Sequence, residues 1–131
     1  MHLELLVDRP ELVISYDAAN DWLYADWRGP HDAESSRACC MLLLETLRRH
    51  PARKLLNDNS NITRQTMQLS EWSIWWVEQM AQAGMRYIAW IFPRSFDHRP
   101  STEQIVKFIP RPAVAAFDDV ASAYTWLQQQ A

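Results

Sequence analysis

The segment from Asn57 to Thr63, Asn-Asp-Asn-Ser-Asn-Ile-Thr, carries the side chains best suited to binding chemistry in this sequence. It follows a short buried strand predicted at residues 54–57 and precedes a helix predicted over residues 64–83. Ligands and partners of open α/β sheets bind beyond the carboxyl ends of strands, and a helix N-terminus favours anions such as a phosphate on Ser60 or Thr63. The same residue types also make ordinary turns and caps. The predicted binding rim comprises Asp58, Asn59, Ser60, Asn61 and Thr63.

A second polar segment, residues 94–99, follows another predicted strand. If the two strands are neighbours, both polar segments lie along one edge of the sheet. Arg94, His98 and Arg99 could then contact an anionic group or the carboxylates of a partner. A solvated loop is the alternative. An enzyme would need a base, such as Asp97 or His98, within hydrogen-bond reach of a nucleophile.

Seven tryptophans in 131 residues are many. Two of them fall on the stripe of the predicted second helix that faces the core, whereas Ile74, Trp75 and Val77 leave that stripe. A helix that is apolar on several sides is either deeply buried or part of an interface. We expect these three residues to form a protein interface to which Trp126 adds. An apolar ligand cavity lined by the rings is the alternative.

Motifs for other kinds of chemistry are missing from the sequence. Gly29 and Gly84 are its two glycines, too few and too far apart for a phosphate-cradling loop or a dinucleotide fingerprint. The four histidines have no metal-ligand spacing. A disulfide between the adjacent Cys39 and Cys40 would be strained, so both are expected to be free thiols. Free cysteines are usually buried, and we therefore expect both in the core. We therefore expect no metal, no cofactor and no enzymatic activity.

The elements that must position these residues follow the order βββαβαβαβα. A strand–turn–strand pattern occupies the first 28 residues, and Gly29-Pro30 is predicted to open the first helix. Ser101-Thr102-Glu103-Gln104 resembles a capping box and predicts a third, short helix that reaches Phe108. Strands that alternate with helices imply a mixed sheet. We expect one α/β domain over residues 1–131 with about four helices.

Charge and hydropathy limit the partners of this domain. The net charge is −3 and the pI is about 5.7, which disfavours nucleic-acid binding that depends on neutralising phosphates. No apolar run approaches the ~18 residues of a membrane span. The N-terminus lacks the basic and apolar regions of a secretory signal. We therefore expect a cytoplasmic protein that binds no nucleic acid and has no membrane span.

Three segments together resemble the STAS domain, specifically its SpoIIAA-like branch of bacterial proteins. They are Lys54-Leu55-Leu56-Asn57-Asp58-Asn59-Ser60, then Ala83-Gly84-Met85-Arg86-Tyr87-Ile88-Ala89-Trp90, and the ending Phe117-Asp118-Asp119 through Trp126-Leu127. The resemblance covers nearly the whole chain. It implies a mixed α/β fold and a role in regulation through protein contacts.

The resemblance also implies a phosphorylation site. Anti-sigma-factor antagonists of this family carry Asp-Ser-Ser/Thr-Gly at the corresponding strand–helix junction, and a partner kinase phosphorylates the third residue. In this sequence Asp58 takes the first position and Ser60 the third, while Asn59 replaces a hydroxyl residue and Asn61 replaces glycine. A phosphate there adds about two negative charges at a partner-facing surface.

Two functions from different classes therefore stand side by side. The first is a non-enzymatic interaction domain whose protein partner is controlled by a phosphate on Ser60. The second is a carrier of a small ligand or lipid, with the head group at Arg94, His98 and Arg99 and an apolar tail among the tryptophans. A homodimer formed through the Trp75 face or the final helix is compatible with either.

Overall fold

The element bounds follow the hydrophobic pattern along most of the chain. The computed structural model describes residues 3–65, 71–94 and 111–131. The elements in these ranges are β1 Leu3–Asp8, β2 Leu12–Asp17, β3 Trp22–His31, α1 Ala33–Arg49, β4 Lys54–Gln65, α2 Glu71–Gln82, β5 Tyr87–Ile91, β6 Ala113–Phe117 and α3 Val120–Gln128. The mixed α/β class is confirmed. The described residues contain three helices rather than about four, and the helix predicted at 101–108 lies outside them.

All described strands belong to one sheet with the order β1-β2-β3-β4-β5-β6. The first three strands are antiparallel, and β3 to β6 run parallel. Asp17 stabilises the turn between β2 and β3, because its Oδ1 accepts hydrogen bonds from the backbone N–H groups of Ala19 at 3.1 Å and Asn20 at 3.2 Å. The carboxyl ends of the parallel strands β3 to β6 therefore lie on one side of the sheet, and their amino ends lie on the opposite side.

Helices α1 and α2 pack on one face of the sheet, and α3 packs on the other. The Asp32 side chain caps α1 by accepting a hydrogen bond from the Ser35 N–H at 2.8 Å. Trp76 of α2 donates its indole N–H to the carbonyl oxygen of Cys40 at 2.7 Å, which joins the two helices. One face of α1 has helical spacing and is buried: Ser36, Cys39, Cys40, Leu43, Leu44 and Leu47.

Two stretches that were not predicted as strand belong to the sheet. Gly29-Pro30 does not open α1, because β3 continues to His31 and Gly29 has a positive φ of 73°. The polar segment after Asn57 also stays in the sheet, with residues 28–31 of β3 pairing with residues 61–65 of β4. His31 supports this extension: it is buried, and its Nε2 lies 3.1 Å from the carbonyl oxygens of Glu11 and Arg28.

The predicted start of the second helix is wrong for the same reason. Arg64 and Gln65 belong to β4, and α2 begins at Glu71. The chain therefore has no helix N-terminus directly after Thr63, and the expected anion-binding helix end beside Ser60 is not formed there. Ser60 is therefore positioned by β4 and by its contacts within the sheet.

Candidate functional site

A polar network lies on the α3 side of the sheet, where β3 and β4 run in parallel. Asp26 of β3 pairs in register with Asp58 of β4, so the two carboxylates project from the same face of neighbouring strands. Both residues are buried, with 6% and 2% of their surfaces exposed. Two buried like charges require donors on both sides.

Asp58 receives its hydrogen bonds from β3 and from its own strand. Tyr24 donates its hydroxyl to Asp58 Oδ2 at 2.8 Å. Ser60 donates both its backbone N–H, at 2.9 Å, and its hydroxyl, at 2.6 Å, to Asp58 Oδ1. Burial, followed by the Asp58 carboxylate, raises the pKa of Tyr24 well above its ordinary value. Tyr24 is therefore a neutral donor throughout the physiological range.

Asp26 has a separate set of partners. Arg28 contacts Asp26 Oδ2 through its Nε and Nη2 atoms, each at 2.8 Å, and Asn61 donates its amide to Oδ1 at 2.9 Å. The hydrogen bond to Asp26 raises the pKa of Arg28. Half of the Arg28 side chain is exposed. The network thus joins a buried carboxylate pair to a solvent-accessible guanidinium.

The predicted rim residues have different positions. Ser60 and Asn61 join Asp58 in the network, whereas Thr63 is exposed further along β4. Asn59 is buried, and its amide nitrogen has no hydrogen-bond partner in the described part of the chain. It was expected at a surface, but the continuous strand carries it inside. Arg94 is exposed; His98 and Arg99, together with Asp97, lie outside the described residues.

Two of the three α2 residues that were predicted to form an interface are exposed, and the third is buried. Ile74 and Trp75 are 47% and 42% exposed, and the Trp75 ring lies 5.8 Å from that of Trp72. Val77 is 4% exposed and belongs to the core, so its assignment to a surface was wrong. The two exposed residues lie between Glu71 and Glu78, which are also exposed.

Trp126 was predicted to extend that surface, and the structure places it elsewhere. Its ring packs 5.7 Å from Phe117 and 6.4 Å from Tyr87, measured between centroids. These contacts belong to the apolar cluster between α3 and the sheet. Trp126 and Trp75 therefore lie on opposite sides of the sheet and cannot form one surface.

Tyr24, Asp26 and Arg28 were missed by the sequence reasoning. The signal was present in β3, where Trp22, Tyr24 and Asp26 alternate with apolar residues. A carboxylate in such a strand must be satisfied when it is buried. Its partner strand could not be read from the sequence, because β4 was expected to end at Asn57.

Other kinds of site find little support among residues 3–65, 71–94 and 111–131. No group of three or more His, Cys, Asp or Glu side chains in these ranges could hold a metal ion. None of their helices is long and apolar enough to cross a membrane. Clefts of about 370 and 360 Å³ lie beside α1 and at the start of β5, and the described residues that line them include no tryptophan.

Comparison with known proteins identifies the fold. No family model and no curated protein matches the sequence. The structure of the anti-sigma factor antagonist SpoIIAA in its unphosphorylated form aligns over 98% of this chain and 100% of its own, with a TM-score of 0.52 and 7% identity. An uncharacterised protein from Shewanella loihica with a SpoIIAA-like fold covers 96% of this chain and 92% of its own, with a TM-score of 0.50 and 16% identity. The chain therefore has the STAS/SpoIIAA-like fold, as the sequence resemblance predicted.

Proposed function

We propose that this chain is a non-enzymatic regulatory domain that binds a protein partner, and that a phosphate on Ser60 controls the binding. The fold supports a regulatory role, because it is shared with a protein named as an anti-sigma factor antagonist. The observation that carries the proposal is the hydrogen bond of 2.6 Å from the Ser60 hydroxyl to Asp58 Oδ1. Because the Ser60 hydroxyl is the donor in this bond, a phosphate on Ser60 would remove the bond and disturb the network around Asp58.

A phosphate on Ser60 changes this network in two ways. The esterified oxygen loses its proton, so Asp58 Oδ1 loses the donor that now lies 2.6 Å away. The phosphate also adds about two negative charges beside a buried carboxylate pair. Because buried charges without donors are costly, the segment around Ser60 must rearrange. A partner that binds the unmodified surface would consequently lose affinity.

Arg28 gives this rearrangement a direction. Its guanidinium is half-exposed and bound to Asp26, and it pairs in register with Asn61, the residue after Ser60. A phosphate dianion attracts a guanidinium more strongly than a single carboxylate does. Phosphorylation is therefore expected to draw Arg28 from Asp26 toward Ser60, which alters the exposed charge at this edge.

The exposed part of α2 lies on the opposite side of the sheet from the Ser60 network, and we assign it a separate contact with the partner. Ile74 and Trp75 provide the apolar contact, and tryptophan is a frequent anchor at interfaces. Glu71 lies about one helical turn before them and Glu78 about one turn after. A fitting partner would present an apolar pocket with basic residues at its margin.

A second copy of the chain is the alternative occupant of this α2 surface. Light scattering across micromolar concentrations separates the two. A single-chain mass leaves the surface to a different protein. A dimer that becomes a monomer in the Trp75→Ala variant assigns the α2 surface to a second copy of the chain. That outcome removes a different protein partner from the proposal.

The proposal is tested by native mass spectrometry of the protein isolated gently from its own cells. We expect a second protein chain in the complex with the unmodified form, and a mass increment of one phosphate on Ser60 in the form without that chain. A bare chain that never carries a partner or a phosphate would contradict the proposal.

A further inference from the structure

An arginine precedes each of three parallel strands, β4, β5 and β6, at the side of the sheet where these strands begin. Arg53 comes directly before β4, Arg86 directly before β5, and Arg111 two residues before β6. All three are exposed. They lie at the amino ends of these strands, whereas Asp58 pairs with Ile91, the last residue of β5, and Ser60 follows two residues later in β4. A protein of net charge −3 thus concentrates cations on one side.

Two of these arginines line one cleft of about 360 Å³, which we name the arginine cleft. Arg86 and Arg111 border it together with Gly84, Tyr87 and Pro112. Its volume lies within the range of ordinary small-molecule sites, about 300–1,000 Å³. The cleft is therefore large enough for a small ligand and too small for a folded partner.

The backbone that carries these arginines is held rigidly by the sheet. The N–H of Arg86 donates to the carbonyl oxygen of Arg53 at 2.8 Å, and the N–H of Ala113 donates to the carbonyl oxygen of Arg86 at 2.9 Å. Pro112, next to Arg111, is buried. Such anchoring lowers the entropic cost of binding a ligand between the two side chains.

Their guanidinium groups are not neutralised within the described residues. Arg53 donates to the carbonyl oxygen of Ala131 at 2.9 Å, but neither Arg86 nor Arg111 forms an ion pair with a described residue. Two like charges that border one cleft without a counter-charge favour the entry of an anion.

We propose that the arginine cleft binds a small phosphate ester. A phosphate monoester carries nearly two negative charges at neutral pH, which matches two guanidinium groups, and its oxygens accept paired hydrogen bonds from each planar fork. The apolar wall of the cleft, which includes Ala81, Met85 and Pro112, receives the organic part of the ester. This site is independent of the partner surface proposed above.

The test is titration of the wild-type protein with phenyl phosphate and with inorganic phosphate, followed by NMR of backbone amides. Phenyl phosphate is expected to shift the amides of residues 84–87, Arg111 and Ala113 and to bind about tenfold more tightly than inorganic phosphate, because its ring adds apolar contact. Equal affinities would reduce the proposal to a bare anion site and overturn its ester specificity. No shift at these residues with either probe would overturn it entirely.

Two double variants separate a shaped site from diffuse charge. Arg86→Gln with Arg111→Gln should abolish the shifts. Arg48→Gln with Arg49→Gln removes the same charge from the exposed end of α1, outside the cleft, and should change the affinity less than about twofold. Equal losses in both double variants would show attraction to net charge alone and would contradict the proposal. Urea unfolding of each variant checks that it is folded.

Discussion

The Asp58 carboxylate is buried and accepts hydrogen bonds from donors on two strands. Its Oδ2 depends on the Tyr24 hydroxyl, and its Oδ1 depends on Ser60. A buried acceptor that loses its donor costs more than an ordinary hydrogen bond contributes. The donors to Asp58 in the candidate site are therefore expected to contribute to the free energy of unfolding.

Replacing Tyr24 by Phe tests this role directly. The change removes the donor to Asp58 Oδ2 and should lower the free energy of unfolding by about 1–2 kcal/mol, measured by urea denaturation. Tyr16→Phe is the matched control, because the Tyr16 hydroxyl also donates to a carboxylate, Asp21, but in an exposed position. Its loss should be smaller. Equal losses would mean that Asp58 does not depend on Tyr24.

The same pair of variants predicts a pH dependence. The folded-state pKa of Tyr24 is raised above 10.0, so the unfolded chain loses this proton first as the pH rises. The unfolded state then binds fewer protons, and stability falls above about pH 10. We expect this alkaline loss to be steeper in the wild-type protein than in Tyr24→Phe. Parallel stability curves above pH 10 would contradict the prediction.

The two thiols are expected to be inert in the folded protein. Burial raises the pKa of Cys39 to about 11, and burial also raises the pKa of Cys40. Near pH 8 a thiol with a pKa of about 11 is roughly one-thousandth thiolate, the reactive form. Ellman's reagent should therefore react far more slowly with the native protein than with the urea-unfolded chain. Comparable rates in the two states would place a thiol at the surface.

At the scale of elements, α2 and α3 use their tryptophans in different ways. Trp126→Ala on α3 removes contacts with Phe117 and Tyr87 and should cost about 2–4 kcal/mol of unfolding free energy in urea denaturation. Trp75→Ala on α2 should cost less than Trp126→Ala, because Trp75 is 42% exposed and much of its surface already faces water, while it weakens partner binding. A Trp75 variant that unfolds as readily as the Trp126 variant would make its ring structural.

The extent to which sequence predicted these elements depends on how local their signals are. The helical spacing of apolar residues in α1 and the Asp118-Asp119 pair before α3 are local patterns, and the structure has a buried face on α1 and a cap at Asp119. The extension of β4 is not local. Asn, Asp and Ser favour turns, but residues 28–31 of β3 offer a partner strand that overrides this preference. Helix α2 consequently begins later than its periodicity indicated.

The candidate site shows the same division. Asp58, Ser60 and Asn61 could be found because their residue types cluster in one segment. Asp26 and Arg28 could not be joined to them, because the β3–β4 register that brings them together is a tertiary property. Val77 was misplaced because exposure on a helix depends on what packs around it, and α2 is covered on more than one side.

At the scale of the whole molecule, the two proposed sites lie near opposite edges of the sheet. Lys54 to Ser60 of β4 spans about 20 Å, so Ser60 and the arginine cleft are well separated. At that distance, which exceeds the Debye length of about 8 Å at physiological salt, exposed charges influence each other little. The Arg86→Gln and Arg111→Gln pair should therefore leave partner affinity within about twofold of wild type in calorimetry. A larger loss of partner affinity would show that the partner contacts both sites.

The central claim is that charge on Ser60 controls partner binding, and the most direct measurement is the affinity of the captured partner for Ser60→Asp by calorimetry. Thr125→Asp provides the control, since it adds the same charge at an exposed position of α3. We predict that Ser60→Asp weakens binding at least about tenfold while Thr125→Asp binds as wild type, with both variants folded. Unchanged affinity in Ser60→Asp, or an equal loss in both variants, would contradict the account.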